Sequence, residues 1–551
     1  MKGCNLLRIQ KFNKIGFTKN SRLQNRTLMI VAIVLAVFLS CLSLTNHVFW
    51  DDEASTAIFA RNLLNTGELT AWDGVNLNGY GFGMQLDENL NNPYMPSLQY
   101  YIAAMGFKIF GPSTFGGRIL FLLAGLLSLL ALAFLVRHYF ENRIPYYLPV
   151  LIAALSPAFL LYIRQCRYYS LAMLFTLTLL GVWAWDKPSK RSNTVTFFVG
   201  ILATIGLWFS NYLNAAAALA MLPVFFIETR YRTRRKYIFL AAICLVSVFC
   251  CCYIYLVKNP SVIHFYPPDS DTGLKHYVTF FTLYMVCLGW FEFFPVPLVL
   301  IMLLPLFMQQ LHHLRDLARR GQILFLCMIV TILVTTVLSP QTPIMRYVTP
   351  LILIGTIITS VCIVILWSLS RPFAVLIGGI AILTNIFTLS YIPNPRLTWG
   401  STLISYIAEQ TRDYKTGTEV LINYISTLPA GSNVLIYPLY MTYAPMFYVP
   451  TQHYCWQLKE SKSIRLDLRE KLPDYVFFER ARPDYIISGP IPPDAIIEYF
   501  TNKCGKGAYQ LIGYLDKDWH DFSRPEIPLH VFGPFLPKQQ QRFAVIKATV
   551  R

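Results

Sequence analysis

His47-Val-Phe-Trp-Asp-Asp-Glu-Ala-Ser-Thr-Ala-Ile-Phe-Ala-Arg61 sets three consecutive carboxylates, Asp51, Asp52 and Glu53, directly after the run Thr27 to Trp50, which carries no formal charge over 24 residues. A run of that kind matches the roughly 20 apolar residues that cross a hydrocarbon core, so the acids stand at a membrane boundary. The whole chain shares this character. Of its 551 residues 55% are hydrophobic, 15% aromatic and 14% charged, against about 25% charged in an ordinary soluble domain. Apolar segments at about 28–49, 119–136, 145–163, 168–185, 193–209, 212–227, 237–257, 293–311, 322–338, 347–369 and 373–392 predict a polytopic α-helical membrane protein of about 11 spans. The charge-free run from Ser192 to Ile227 divides at Ser210-Asn-Tyr-Leu-Asn214.

Basic residues set the orientation, because short cytoplasmic loops accumulate Lys and Arg. The 26 residues before Thr27 hold seven basic residues and no acid. Alternate loops continue the bias, most densely in Arg230-Tyr-Arg-Thr-Arg-Arg-Lys236. Residues 1–26 therefore read as a basic cytoplasmic tail. An odd number of spans then puts the acidic cluster, and everything after about Pro393, outside. The net charge of +18 follows from this bias and from anionic headgroups, and no nucleic-acid role is assigned to it. The first segment exceeds a cleaved signal peptide in both its charged tail and its apolar length, so it reads as a retained helix.

Two regions project from the membrane domain, 27–392. The loop from Asp51 to Gly117 opens with helical spacing, closed by Asn65-Thr-Gly67. After a Gly/Asn-rich stretch and Asn92-Pro-Tyr-Met-Pro96, an aromatic amphipathic helix over Ser97 to Phe110 is expected in the interface plane. From 393 to 551 the chain alternates β-rich runs, Asn433-Val-Leu-Ile-Tyr437, Tyr475-Val-Phe-Phe478 and Asp484-Tyr-Ile-Ile-Ser488, with Ala/Leu/Glu stretches, the pattern of a small extracytoplasmic α/β domain. Eight of the 12 Cys lie in or beside apolar spans, where Cys serves as a small hydrophobe. Cys455 and Cys504 lie in the tail, where pairing stays open.

The three acids can cap a juxtamembrane helix, since carboxylates suit the positive end of its dipole. That accounts for one or two of them. Three together repel one another, and at least one is expected to serve another purpose. A carboxylate at the bilayer surface can take a proton from an acceptor hydroxyl or amine, or hold a divalent cation against a phosphate. Either role needs positive groups for a phosphate leaving group. Arg164-Gln-Cys-Arg167-Tyr-Tyr169, Lys258, Lys275 with His276, and Arg346-Tyr347 supply them. Arg164 and Arg167, at i and i+3, are expected to face one ligand; the plainer reading of each arginine is snorkelling. Asp87-Glu88 reads as a solvated pair.

The acids after the first span, Asn92-Pro-Tyr-Met-Pro96 with the helix that follows it, Gly117-Arg118-Ile-Leu, and Pro343-Ile-Met-Arg346-Tyr347-Val-Thr-Pro-Leu together resemble the GT-C class of membrane glycosyltransferases. Within it they are most similar to the protein O-mannosyltransferase and aminoarabinose lipid A transferase superfamily. The resemblance covers residues 1–390 in architecture and leaves the tail uncovered. It implies an inverting transfer of a sugar from a polyprenyl-phosphate donor to a lipid, protein or envelope-glycan acceptor, on the extracytoplasmic face of a bacterial inner membrane. Asp52 is then the base and Glu53 its support, with Asp51 an extra acid in the substrate site. Arg164, Arg167, Arg346 and Tyr347 become donor-phosphate candidates. A transporter or flippase is the alternative; it would carry charged or broken helices near the bilayer midplane. Glu292, near a boundary, is the one such charge expected.

Overall fold

The computed structural model describes residues 19–79, 95–185, 190–258, 273–290, 296–338, 345–384, 402–412, 415–455 apart from 438, 472–479, 509–517 and 540–549, with a few others between 86 and 92 and at 386, 387 and 498. The amino-terminal half holds α1 (Lys19–Cys41), α2 (Asp51–Thr66), α3 (Leu98–Phe110), α4 (Thr114–Tyr139), α5 (Tyr147–Ala154), α6 (Pro157–Ile163), α7 (Tyr169–Ala184), α8 (Lys190–Ser210), α9 (Tyr212–Val224), α10 (Arg234–Lys258) and α11 (Leu274–Trp290). Short helical turns fill 296–314. They are followed by α12 (Arg315–Leu338), a 3-10 turn at Met345–Tyr347, α13 (Pro350–Leu369) and α14 (Arg371–Leu383).

Among the described residues, five helical stretches are long and apolar enough to cross a membrane: Leu23–Cys41, Thr114–Tyr139, Arg234–Ile254, Gln309–Leu338 and Pro350–Leu369. Five shorter apolar helices accompany them, among them Tyr169–Ala184 and Tyr212–Ile227. Three of the expected segments take a different form. The first helix stops at Cys41, eight residues early, and residues 42–50 run as turn and extended chain into α2. The segment 145–163 is two helices, because Ser156 caps the second through Phe159 N and Pro157 occupies its first turn. Residues 296–314 are mostly 3-10 turns. Helix α11 is a 17-residue helix that the sequence pattern leaves inside an outer loop. The split of 192–227 falls at Asn211, which caps α9 by accepting from Asn214 N.

Glycines let the helices approach closely. A Cβ on Gly125 of α4 would lie 2.4 Å from Ile163 Cβ, and one on Gly106 of α3 would lie 2.1 Å from the carbonyl oxygen of Gly116. Helix α3 turns Gln99, Tyr100, Ala103, Ala104 and Phe107 inward, while Tyr101, Met105, Ile109 and Phe110 are exposed. At the opposite end from the acids, Arg320 joins Glu141 at 3.0 Å and Asp316 at 3.2 Å, and Arg230 joins Glu228 at 2.7 Å.

In the tail, α15 (Thr402–Thr411) packs on the membrane core, with the Tyr406 hydroxyl donating to Leu39 O. A second core, shared with α2, α3 and α4, joins α16 (Gly417–Ser426), α17 (Tyr443–Tyr448) and five strands: β1 (Asn433–Tyr437), β2 (His453–Tyr454), β3 (Tyr475–Glu479), β4 (Tyr509–Lys517) and β5 (Gln540–Ala548). The strand order is β2-β1-β3-β5-β4. β1 pairs in parallel with β2 and β3, whereas β5 pairs antiparallel with β3 and β4. The expected strand at 484–488, together with Cys504, Glu88 and residues 1–18, lies outside the described residues.

This domain sits on the acid-bearing end. Arg61 of α2 donates to Phe447 O, the Asn76 amide donates to Pro450 O and Gln452 O and accepts from Tyr454 N, and Glu419 of α16 reaches the His47 ring at 3.2 Å. Tail and acids therefore share one side of the molecule.

Candidate active site

Helix α2 begins at Asp51, after Trp50 in extended conformation, with no side-chain cap and all three acids in the first turn. There the free N–H groups and the helix dipole favour negative charge. It ends at Gly67, whose φ of 80° completes a left-handed cap that returns its N–H to Leu63 O. The first turn of α2 is gripped by the turn 164–168 between α6 and α7. Trp50 Nε1 donates to Gln165 Oε1 at 2.6 Å, Cys166 N to Glu53 Oε1 at 2.7 Å, and Arg167 to Thr56 Oγ1 at 3.0 Å.

Asp52 and Glu53 have separate partners. Asp52 is partly buried, and its Oδ2 meets Arg167 at 3.3 Å and Arg346 in a short ion pair. Two guanidinium groups from distant parts of the chain converge on one carboxylate oxygen. Arg346 belongs to the 3-10 turn before α13; the Tyr168 hydroxyl donates to its carbonyl, and its guanidinium lies over the Tyr347 ring, 5.4 Å from the centroid.

Glu53 is fully buried and paired with Arg118 of α4 at 2.6 and 2.9 Å. The other Arg118 N–H groups donate to Leu44 O, His47 O and Val48 O. All five donors of this guanidinium are therefore used, and Arg118 ties the chain between α1 and α2 to the start of α4. Burial, reinforced by Glu53, pushes the Cys166 thiol well above its ordinary pKa, so it stays protonated beside the site.

Of the residues expected in the site, Asp52, Arg167, Arg346 and Tyr347 come together, and Asp51 precedes them at the helix start. Arg164 has a different place. Helix α6 ends before it, so the i, i+3 relation to Arg167 does not put both on one face, and its guanidinium binds the Tyr406 hydroxyl and Gln410 Oε1 of α15. Asp87 ties its own loop, accepting from Asn89 N and Asn91 N. Sequence reasoning gave no role to Arg118, Thr56 or Gln165. The signals available for Arg118 were its place in Gly117-Arg118-Ile-Leu and its position at the edge of a long apolar segment. Among the described residues no three His, Cys, Asp or Glu side chains gather to hold a metal ion.

Residues 94–255 match the family model of dolichyl-phosphate-mannose-protein mannosyltransferases. A comparison with curated protein sequences gave no match. Among solved structures, the chain is similar to ArnT from Cupriavidus metallidurans bound to undecaprenyl phosphate, at 13% identity over 94% of this chain and 97% of that one, with a TM-score of 0.56. The apo form of that protein matches at 12% identity, over the same shares of both chains, with a TM-score of 0.54. The archaeal oligosaccharyltransferase AglB from Archaeoglobus fulgidus, in complex with an inhibitory peptide and a dolichol-phosphate, matches at 11% identity over 84% of this chain and 70% of that one, with a TM-score of 0.49. The chain is an integral membrane protein with the fold of the GT-C glycosyltransferases.

Proposed function

We propose that this protein is an inverting glycosyltransferase that moves a sugar from a polyprenyl-phosphate donor to a lipid, protein or envelope-glycan acceptor on the extracytoplasmic face of a bacterial inner membrane. The observation that carries the reading is the meeting of Arg167 and Arg346 on Asp52 Oδ2. In this structure one carboxylate pairs with two guanidinium groups, which leaves the cluster with a net positive charge. When a phosphate arrives, it competes for those same donors, for which planar bidentate recognition is well suited. The arginines then turn to the phosphate, and Asp52, no longer held between two cations, becomes the stronger base.

The reaction is a single displacement. The acceptor oxygen or nitrogen attacks the anomeric carbon as its proton passes to Asp52. The bond from that carbon to the phosphate oxygen breaks, and the electron pair leaves on the polyprenyl phosphate, where the guanidinium charges stabilise it. Attack opposite the leaving group inverts the anomeric centre. Glu53, locked on Arg118, holds Asp52 in place from the adjacent position.

Asp52→Asn keeps the volume and removes the basicity. Purified variant assayed with radiolabelled polyprenyl-phosphate sugar is expected to lose transfer while still binding the donor. Turnover equal to wild type would reject Asp52 as the base. A transporter would move intact donor across a bilayer without breaking the glycosyl bond, which the same labelled lipid would reveal.

A further inference from the structure

One group beside Asp52 has no part in the reaction above. Tyr169, the first residue of α7, is completely buried, and its ring packs edge-on against Tyr162 at 5.0 Å and Tyr168 at 4.8 Å. Its hydroxyl has no hydrogen-bond partner among the described residues. The neighbouring tyrosine is different, because Tyr168 fastens the turn that carries Arg346 by donating to its carbonyl. A buried hydroxyl without a partner loses its hydration and gains nothing in return. Folding alone would favour phenylalanine at 169, so the hydroxyl points to a partner that arrives from outside the chain.

The surroundings define the chemistry of that partner. Tyr169 packs on Tyr168, whose ring lies under the Arg167 guanidinium, 5.9 Å from the centroid, and whose hydroxyl holds the Arg346 carbonyl, so Tyr169 stands one ring away from both arginines. The start of α7 presents backbone N–H groups that lack acceptors within the helix, at the positive end of its dipole. Two guanidinium groups, a helix start and an unpartnered hydroxyl gathered around Tyr168 suit an anion with several acceptor oxygens.

We propose that the Tyr169 hydroxyl is a ligand of the donor phosphate, donating its proton in a hydrogen bond to a non-bridging oxygen while Arg167 and Arg346 hold the charge. The inference rests on the transfer reaction proposed above. The hydroxyl adds direction to what the arginines supply as charge, because it fixes one oxygen and so orients the bond that must break. No proton changes owner at Tyr169, which is a binding residue and not the base.

The experiment compares the full-length chain with Tyr169→Phe, in nanodiscs, using undecaprenyl phosphate as the probe and inorganic phosphate as a competitor. The substitution keeps the ring and its contacts. The empty variant is expected to melt at the wild-type temperature or higher, because an unsatisfied polar atom has gone. Its affinity for undecaprenyl phosphate is expected to fall about tenfold or more, the scale of a hydrogen bond to a charged group. Equal affinity in the two proteins would overturn the role of Tyr169 and leave the transferase reading standing. A lower melting temperature of the empty variant would mean that the hydroxyl is satisfied inside the fold, which also overturns it. Failure of wild type to bind the lipid would overturn both readings. Binding of inorganic phosphate alone would assign the cluster to free phosphate and reject the lipid-linked ligand.

Discussion

Adjacent acids on α2 should respond to amidation in opposite ways. Glu53→Gln removes the charge that compensates Arg118, whose side chain is 4% exposed against 0% for Glu53. The amide keeps one acceptor oxygen, yet its NH2 group would face a guanidinium N–H that now donates to Glu53 Oε2 at 2.6 Å. Breaking a buried ion pair from one side costs about 3–5 kcal/mol, because the remaining charge is left without a partner in low dielectric. Asp52→Asn is milder. Arg167 keeps Thr56 and the Tyr168 ring, and Arg346 keeps its place over Tyr347. The assay is unfolding in mixed micelles, followed by tryptophan fluorescence at fixed lipid and detergent composition, together with label transfer on the folded fraction. Glu53→Gln should unfold far earlier than wild type, and Asp52→Asn should stay folded without turnover. A double-mutant cycle isolates the pair. Glu53→Leu with Arg118→Met should recover only part of the loss, since Cys166 N and the carbonyls of Leu44, His47 and Val48 lose their partners, and the coupling energy should be about 2–3 kcal/mol. Wild-type stability in Glu53→Gln, with a coupling near zero, would refute the clamp.

Other expectations follow from single contacts. Arg346→Ala should raise the dissociation constant for polyprenyl phosphate about tenfold or more, whereas Arg143→Ala, whose exposed pair with Asp316 lies at the opposite end, should leave it unchanged; equal effects would show that the loss is not local. Gly106→Ala drives a Cβ into the Gly116 carbonyl, a backbone atom that cannot swing aside, so thermal stability should fall by about 1–3 kcal/mol; a neutral result would mean that α3 and α4 lie further apart. Burial pushes the Tyr448 hydroxyl up to about 12, outweighing its hydrogen bonds to Thr114 and Phe49 N. Folding thus holds that proton more tightly than the unfolded chain, and the stability it contributes is complete below pH about 10 and lost as pH rises towards 12. Protease release of the tail should climb over that window, and more weakly in Tyr448→Phe; identical profiles would remove Tyr448 from the docking contact.

What the sequence could and could not convey depends on the range over which each signal acts. Composition and apolar run length act locally, so the membrane class, the helix after Trp50 and the division at Asn211 were legible. The helix breaks near 155 and in 296–314 were not, because an apolar run looks the same whether continuous or interrupted by a cap and a proline. Helix α11 was missed for a related reason: Lys275, His276 and the polar residues after them lower its hydropathy without lowering its helicity. In the site, chemistry was legible and pairing was not. Asp52, Arg167 and Arg346 were identifiable as charges at a boundary, but nothing in their spacing, 115 residues and then 179, says that they share one oxygen. Arg118 shows the limit most clearly. An arginine at the edge of a span reads as snorkelling, and only the convergence of Glu53 with the carbonyls of Leu44, His47 and Val48 turns it into the anchor of the acidic helix. The tail follows the same logic. Two of its strands, β1 and β3, were readable from local pattern, and β2, β4 and β5 were not, whereas its place against α2, through Phe447 and Asn76, depends on contacts between residues nearly 400 positions apart. In that position the tail packs through α17 against the helix that carries Asp52, and α3 packs against the same helix, so the acidic helix is held between an element of the tail and an element of the membrane domain.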